Sequence, residues 1–202
     1  MVATHERKMR IIAVGRKSSD FKGYFGTLSK YSADGQTVNL IMTGISHKSR
    51  KTSILAREKW RRLGITKVHV IDKFERGSVT QENVKALRSI IEKINPMLAI
   101  LPFYKTSNRQ KQVLAYSSLL ACRGVKNILM YETSRNKNFL PNVFFPFGKE
   151  ARSLSYLTKA NSAKKRKRRS AFKSKSNGFG TNQAAEAFTT HRLVLLDDSE
   201  II

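Results

Sequence analysis

The stretch that decides the fold is Met9–Tyr31, MRIIAVGRKSSDFKGYFGTLSKY. Ile11, Ile12, Ala13 and Val14 form a compact apolar run that Gly15 closes. A polar turn follows, Arg16 to Asp20, and then Phe21, Phe25, Leu28 and Tyr31 recur at three- and four-residue spacing. An apolar run ended by glycine and followed by helical spacing reads as a buried strand feeding a crossover helix, here over Phe21–Asp34. In open parallel sheets, ligands sit outside the carboxyl ends of the strands. The turn from Gly15 to Asp20 is therefore the first place to look for chemistry. It carries two cations, two hydroxyls and one carboxylate, and no histidine.

Outward from this unit the pattern repeats. Thr37–Thr43 (TVNLIMT) is a second strand closed by Gly44, and Lys51–Leu63 is a basic helix ended by Gly64. Lys67–Asp72 (KVHVID) is a third strand, in which His69 alternates with apolar neighbours and reads as a strand residue. Thr80 caps a helix over Gln81–Ile94 with Val84, Leu87, Ile90 and Ile91 on one face, and Asn95-Pro96 breaks it. Met97–Phe103 (MLAILPF) is the fourth and most apolar strand, Lys111–Arg123 the next helix, and Asn127–Glu132 (NILMYE) the fifth strand. This alternation predicts an α/β fold: a Rossmann-like three-layer sandwich with a mostly parallel sheet and helices on both faces.

Past Glu132 the pattern loosens. Asn142–Phe147 reads as an edge strand flanked by prolines, and Glu150–Asn161 as a helix. The expected organisation is an α/β domain over 1–160, a basic flexible loop over 161–182, and a segment 183–202 that returns to the domain.

Composition limits the classes of function. The chain of 202 residues is long enough for one domain with a sizeable core. A hydrophobic content of 40% and a mean hydropathy of -0.40 suit a soluble protein. No apolar run is long enough for a transmembrane segment, and the N-terminus does not read as a signal peptide. The expected location is cytoplasmic, or nuclear in a eukaryotic host. A single cysteine, Cys122, rules out an internal disulfide and a cysteine metal cluster, and its apolar helical setting reads as core.

Net charge is the outlier. Lysine and arginine number 39 against 14 acids, giving +25. That balance points to a polyanionic partner: RNA, DNA or a larger ribonucleoprotein. Ten basic residues and no acid lie between Ala151 and Ala185, with Lys164, Lys165, Arg166, Lys167, Arg168 and Arg169 in one run. The run reads as a phosphate-backbone contact, an import signal or a solvated loop. The rest of the excess is spread over the body.

The order of pieces resembles the PIG-L/LmbE-like zinc N-deacetylases, which act on N-acetylglucosaminyl-type conjugates. The resemblance runs from Met9 to Phe147. It is carried by the strand IIAVG, Gly26-Thr27-Leu28-Ser29-Lys30-Tyr31, Asp34-Gly35, Met42-Thr43-Gly44, Leu63-Gly64-Ile65, Glu75-Arg76-Gly77, Pro102-Phe103, Tyr131-Glu132-Thr133 and Pro141-Asn142-Val143-Phe144. Ala185-Glu186-Ala187-Phe188 is similar to the family's Ala-Glu-x-Phe segment near the C-terminus.

The resemblance implies zinc chemistry that this chain is poorly equipped to perform. The family's first signature, His-Pro-Asp-Asp, supplies two zinc ligands and a general base; Lys17-Ser18-Ser19-Asp20 stands in its place. Asp20 matches the ligand carboxylate, Lys17 takes the position of the ligand histidine, and Ser19 that of the base. The second signature, His-x-Asp-His, aligns with Ser107-Asn108-Arg109-Gln110, so both histidines are missing. A catalytic zinc needs about three protein ligands and an open position for water. The one legal set on neighbouring loops is Asp20, His47 and Glu75, and the latter two are not family ligands. No cofactor is expected unless that rearranged set holds zinc.

What remains on the rim is basic: Arg16, Lys17, Lys105 and Arg109, with Lys22, Lys48 and Arg50 nearby. These are candidates for binding a phosphate or another anion. The leading expectation is a deacetylase-fold protein that has lost zinc-dependent hydrolysis and binds a polyanion through its basic surface. The alternative is an active zinc-dependent N-deacetylase with a rearranged metal site. A nucleotide-binding module ranks last, because neither G-x-G-x-x-G nor G-x-x-x-x-G-K-[ST] is present. A homo-oligomer is compatible with all three.

Overall fold

A computed structural model describes residues 8–21, 23–44, 60–61, 64–133, 135–147 and 184–193. The basic helix expected at 51–63, apart from Trp60 and Arg61, the helix expected at 150–161, and the Lys164–Arg169 run lie outside these residues.

Strand β1 (Arg10–Gly15) pairs in parallel with β2 (Thr37–Met42) over its full length, from Arg10 opposite Thr37 to Gly15 opposite Met42. On the far side of β2 lies β3 (Lys67–Val70), also parallel. On the other side of β1 come β4 (Leu98–Pro102) and β5 (Asn127–Tyr131), both parallel. The sheet is completed by β6 (Val143–Phe147) and β7 (Ala184–Arg192), antiparallel to their neighbours, in the order β3-β2-β1-β4-β5-β7-β6. The last of these strands is thus slotted between two earlier ones. Its pairing with β6 begins where Phe147 meets Ala184.

Burial on both faces explains why β1 and β4 are almost wholly apolar. Ile11 and Ala13 join one cluster with Phe21, Phe25, Leu28 and Trp60. Ile12 and Val14, one residue out of phase, join the opposite cluster with Leu87, Ile91, Val113 and Leu114. The first layer is covered by α1 (Ser18–Phe21) and α2 (Phe25–Ala33), the second by α3 (Gln81–Ile94) and α4 (Arg109–Ala121). This is the expected three-layer sandwich. Among the described residues, no helix is long and apolar enough to cross a membrane.

The helix expected over Phe21–Asp34 is instead two helices. Asp20, within α1, folds its carboxylate back onto the Arg16 N–H that precedes the helix, and α1 ends at Phe21 after one turn. Tyr24 then turns inward, its ring 4.4 Å from that of Tyr131, before α2 begins. Cys122 is buried at the end of α4, as its apolar setting implied.

Candidate functional site

The site grows from a split in the sheet. β1 and β2 stay paired to Gly15, but β1 and β4 are paired only over Ile11–Ala13 and Leu98–Ile100. Helices after β1 and β4 lie on opposite faces, so a crevice opens between the carboxyl ends of these two strands. Tyr131 reaches into the gap from β5 and donates its hydroxyl to Val14 O at 3.0 Å.

The β1 loop is pressed down onto this edge. A Cβ on Gly44 would come within 2.5 Å of Arg16 O, and one on Gly15 within 2.9 Å of the Phe21 ring. Only glycine lets the loops after β1 and β2 approach so closely. The Thr43 N–H donates to Gly15 O in the same contact.

At the centre lies Asp20. Its Oδ2 accepts the Arg16 N–H at 2.9 Å and the Lys17 N–H at 3.3 Å. Its Oδ1 meets Lys111 Nζ at 3.8 Å, with side-chain exposures of 9% for the aspartate and 16% for the lysine. Both carboxylate oxygens are therefore engaged, one by backbone donors and one by an ammonium from α4. Tyr24 and Tyr131 form the wall behind it. Burial, above all, pushes both phenols well above their ordinary range, and the Asp20 charge pushes in the same direction. Both remain protonated at any physiological pH, which suits them as walls and hydrogen-bond donors rather than bases.

The other sequence-predicted residues are dispersed. Lys17 is exposed on the loop and Ser19 in the single turn of α1, and Arg16 is half-buried. Lys105 is exposed, its Nζ 5.9 Å from the Tyr104 ring centroid. Arg109 is turned toward the β3 loop, where its Nε donates to Gly77 O at 2.9 Å. Glu75 is committed to the same loop: its Oε1 accepts the Gly77 N–H at 2.6 Å, and its backbone N–H donates to Asn83 Oδ1. His47 and the Lys164–Arg169 run lie outside the described residues.

No family model and no curated protein matches this sequence. Solved structures do. A conserved protein from Thermus thermophilus superposes with a TM-score of 0.72 at 16% identity, covering 94% of this chain and 97% of that one. The N,N'-diacetylchitobiose deacetylase from Pyrococcus horikoshii gives 0.68 at 14% identity, covering 98% and 91%. The fold is of the PIG-L/LmbE deacetylase type. Its neighbours are not all deacetylases: the 4-carboxy-2-hydroxymuconate hydratase from Pseudomonas putida gives 0.74 at 11% identity, covering 94% and 99%. A PIG-L-like fold therefore does not by itself fix a reaction.

Zinc is the metal the resemblance implies, and the described residues do not fit it. Among the described residues, the carboxylate the crevice offers is Asp20, already carrying two N–H bonds and an ammonium. Among the described residues, no three histidine, cysteine, aspartate or glutamate side chains come together as a metal site.

Sequence reasoning missed Lys111, one residue beyond the Ser107–Gln110 segment, because a lysine in a first helical turn reads as solvated. It also missed what Glu186 does. This carboxylate on β7 is 3% exposed. It accepts the N–H groups of Gly26 at 2.9 Å and Thr27 at 2.7 Å, and the Thr27 hydroxyl at 2.7 Å. Tyr24 occupies the N-cap of α2 and supplies no side-chain acceptor, so Glu186 caps the helix from across the sheet.

Proposed function

We propose that this protein keeps the deacetylase fold without zinc-dependent hydrolysis and uses its basic surface to bind a polyanion. The observation that carries the reading is the Asp20–Lys111 pair. The carboxylate that aligns with a zinc ligand has an ammonium beside it, at 3.8 Å. Lys17, in the position of a ligand histidine, adds a second cation to the same loop. Cations so placed oppose a dication and favour an anion. The net charge of +25 supports the same partner class.

The test has two arms. Purified, tag-free chain is incubated with excess zinc, desalted and measured by elemental analysis; it should retain no stoichiometric metal. The same protein should bind nucleic acid with an affinity that falls steeply as salt is raised. The shared fold with a diacetylchitobiose deacetylase favours the second reading, an active N-deacetylase with a rearranged metal site. About one zinc per chain, with release of acetate from an N-acetylglucosaminyl substrate, would establish it and end the first.

A further inference from the structure

We propose that the loops following β4 and β5 form a stacking platform for single-stranded nucleic acid. This inference rests on the polyanion reading and gives the partner a chemistry: unpaired bases as well as phosphates.

Residues 103–109 leave β4 and residues 135–139 follow β5, and the two stretches are zipped together. The Ser107 N–H donates to Arg135 O at 3.1 Å, and the Lys137 N–H donates to Lys105 O at 2.8 Å. The Thr106 hydroxyl donates to Arg135 O, and Asn136 Nδ2 donates to Lys105 O. Thr106 and Asn136 form an isolated antiparallel bridge. Two non-glycine residues here, Arg135 (φ 64) and Asn138 (φ 52), sit in the left-handed region. Such conformations persist where surrounding bonds over-determine them, and they cluster at binding sites.

The zipping leaves Lys105, Arg135 and Lys137 exposed on one pair of loops. It also assembles a chain of rings. Tyr116 on α4 lies 5.7 Å from Tyr104, Tyr104 lies 5.1 Å from Phe103, and Phe103 lies 5.1 Å from Phe139. The outer ring, Tyr116, is 41% exposed, Tyr104 is half-buried, and Lys105 Nζ hangs 5.9 Å from the Tyr104 centroid.

Phe103 is buried and anchors the chain of rings to the core, so the surface it offers is the exposed Tyr116 ring with the half-buried Tyr104 and Phe139. An exposed ring with Lys105 beside its neighbour Tyr104, and Arg135 and Lys137 exposed on the adjoining loop, match a single strand, whose bases stack on the rings while its phosphates meet the charges. A duplex keeps its base faces covered and cannot use the rings.

The experiment is fluorescence anisotropy on the full chain with labelled oligo(U), oligo(dT) and duplex DNA, each about 12 units long. Salt is varied from about 50 to about 200 mM. Both single strands should bind more tightly than the duplex. Tyr116→Leu should weaken single-strand binding roughly 5- to 150-fold, while Tyr116→Phe keeps it, because the ring and not the hydroxyl is used. Lys105→Gln with Lys137→Gln should reduce the slope of log affinity against log salt by about 1.4. Tyr116 is exposed, so its variants should fold; circular dichroism melts check this. If the wild type binds single strands but Tyr116→Leu binds equally well, or the duplex binds as tightly, the platform is overturned and the polyanion reading survives. If the wild type binds none of the probes even at low salt, the polyanion reading falls and takes the platform with it.

Discussion

Removing the Glu186 carboxylate should unfold the protein from the wrong end of the chain. The group sits on the last strand, yet it satisfies donors in the first turn of α2, near the start. In Glu186→Ala, the Gly26 and Thr27 N–H groups and the Thr27 hydroxyl lose their acceptor inside a region closed to water. Each unsatisfied buried donor costs about 1–3 kcal/mol. Relief of the carboxylate's own desolvation offsets part of that sum. A net loss of about 3–5 kcal/mol follows, comparable to breaking a buried pair. For a chain of this size each kcal/mol moves Tm by about 2–4 °C, so the midpoint should fall by roughly 6–20 °C. Glu186→Gln is the sharper probe. Its amide oxygen would keep the two Thr27 donors while its amide nitrogen faced the Gly26 N–H, where an oxygen now accepts at 2.9 Å, so it should cost about 1–3 kcal/mol despite near-identical shape. Chemical unfolding followed by far-ultraviolet circular dichroism measures both. A cycle with Thr27→Val should return a coupling of about 1 kcal/mol. If Glu186→Gln and Glu186→Ala both unfold within about 0.5 kcal/mol of wild type, the capping argument is wrong.

Three further outcomes are expected. Burial pushes the Cys122 thiol up to about 12, so roughly one thiol in ten thousand is ionised at pH 8; a thiol reagent should label the protein only as it unfolds, and free-thiol rates on native protein would contradict this. Lys111→Met leaves the Asp20 carboxylate without its ammonium and should destabilise by about 1–3 kcal/mol, with the Asp20→Asn, Lys111→Met double variant losing less than the two single losses together; a double loss equal to the sum of the single losses would show that the pair is not coupled. His69 is lowered by burial first and by Lys67 second, so the unfolded chain binds its proton more readily than the folded one. Stability should therefore fall as pH drops from about 7 through the ordinary histidine range, and His69→Asn should flatten that dependence, His191 being shifted the same way and supplying part of the remainder. A steeper slope in His69→Asn would reverse the sign of this argument.

The parallel half of the sheet was legible because burial on both faces leaves an unbroken apolar run, as in Ile11–Val14 and Leu98–Leu101. The break between α1 and α2 was not. Tyr24 falls between residues of perfect helical spacing, and it turns inward only because Tyr131, from a distant strand, is there to receive it. The place of β7 was equally hidden. Order in the chain says nothing about insertion between β5 and β6, and a glutamate in its middle argues against burial until its helix-capping role is seen. At the site, Asp20 was legible from the turn it occupies, while its partner Lys111 was not. Attention to missing histidines cannot reveal a lysine that meets the same carboxylate in three dimensions. The ring chain escaped for a similar reason. Phe103 and Tyr104 are adjacent, but Tyr116 and Phe139 reach them only through the packing of a helix and a second loop.

The pairing of Phe147 with Ala184 has a consequence for how this protein can change. Residues 148–183, with the basic run among them, are joined to the sheet at both ends through one rung of that pairing. The entropy of closing a connection between two paired ends grows slowly with its length. Lengthening the sequence between Phe147 and Ala184 therefore adds little closure entropy: doubling it costs about 0.6 kcal/mol. In entropy of closure, the β6–β7 junction is thus tolerant of length, and the chain's most highly charged run, Lys164–Arg169, falls in the sequence between its two ends.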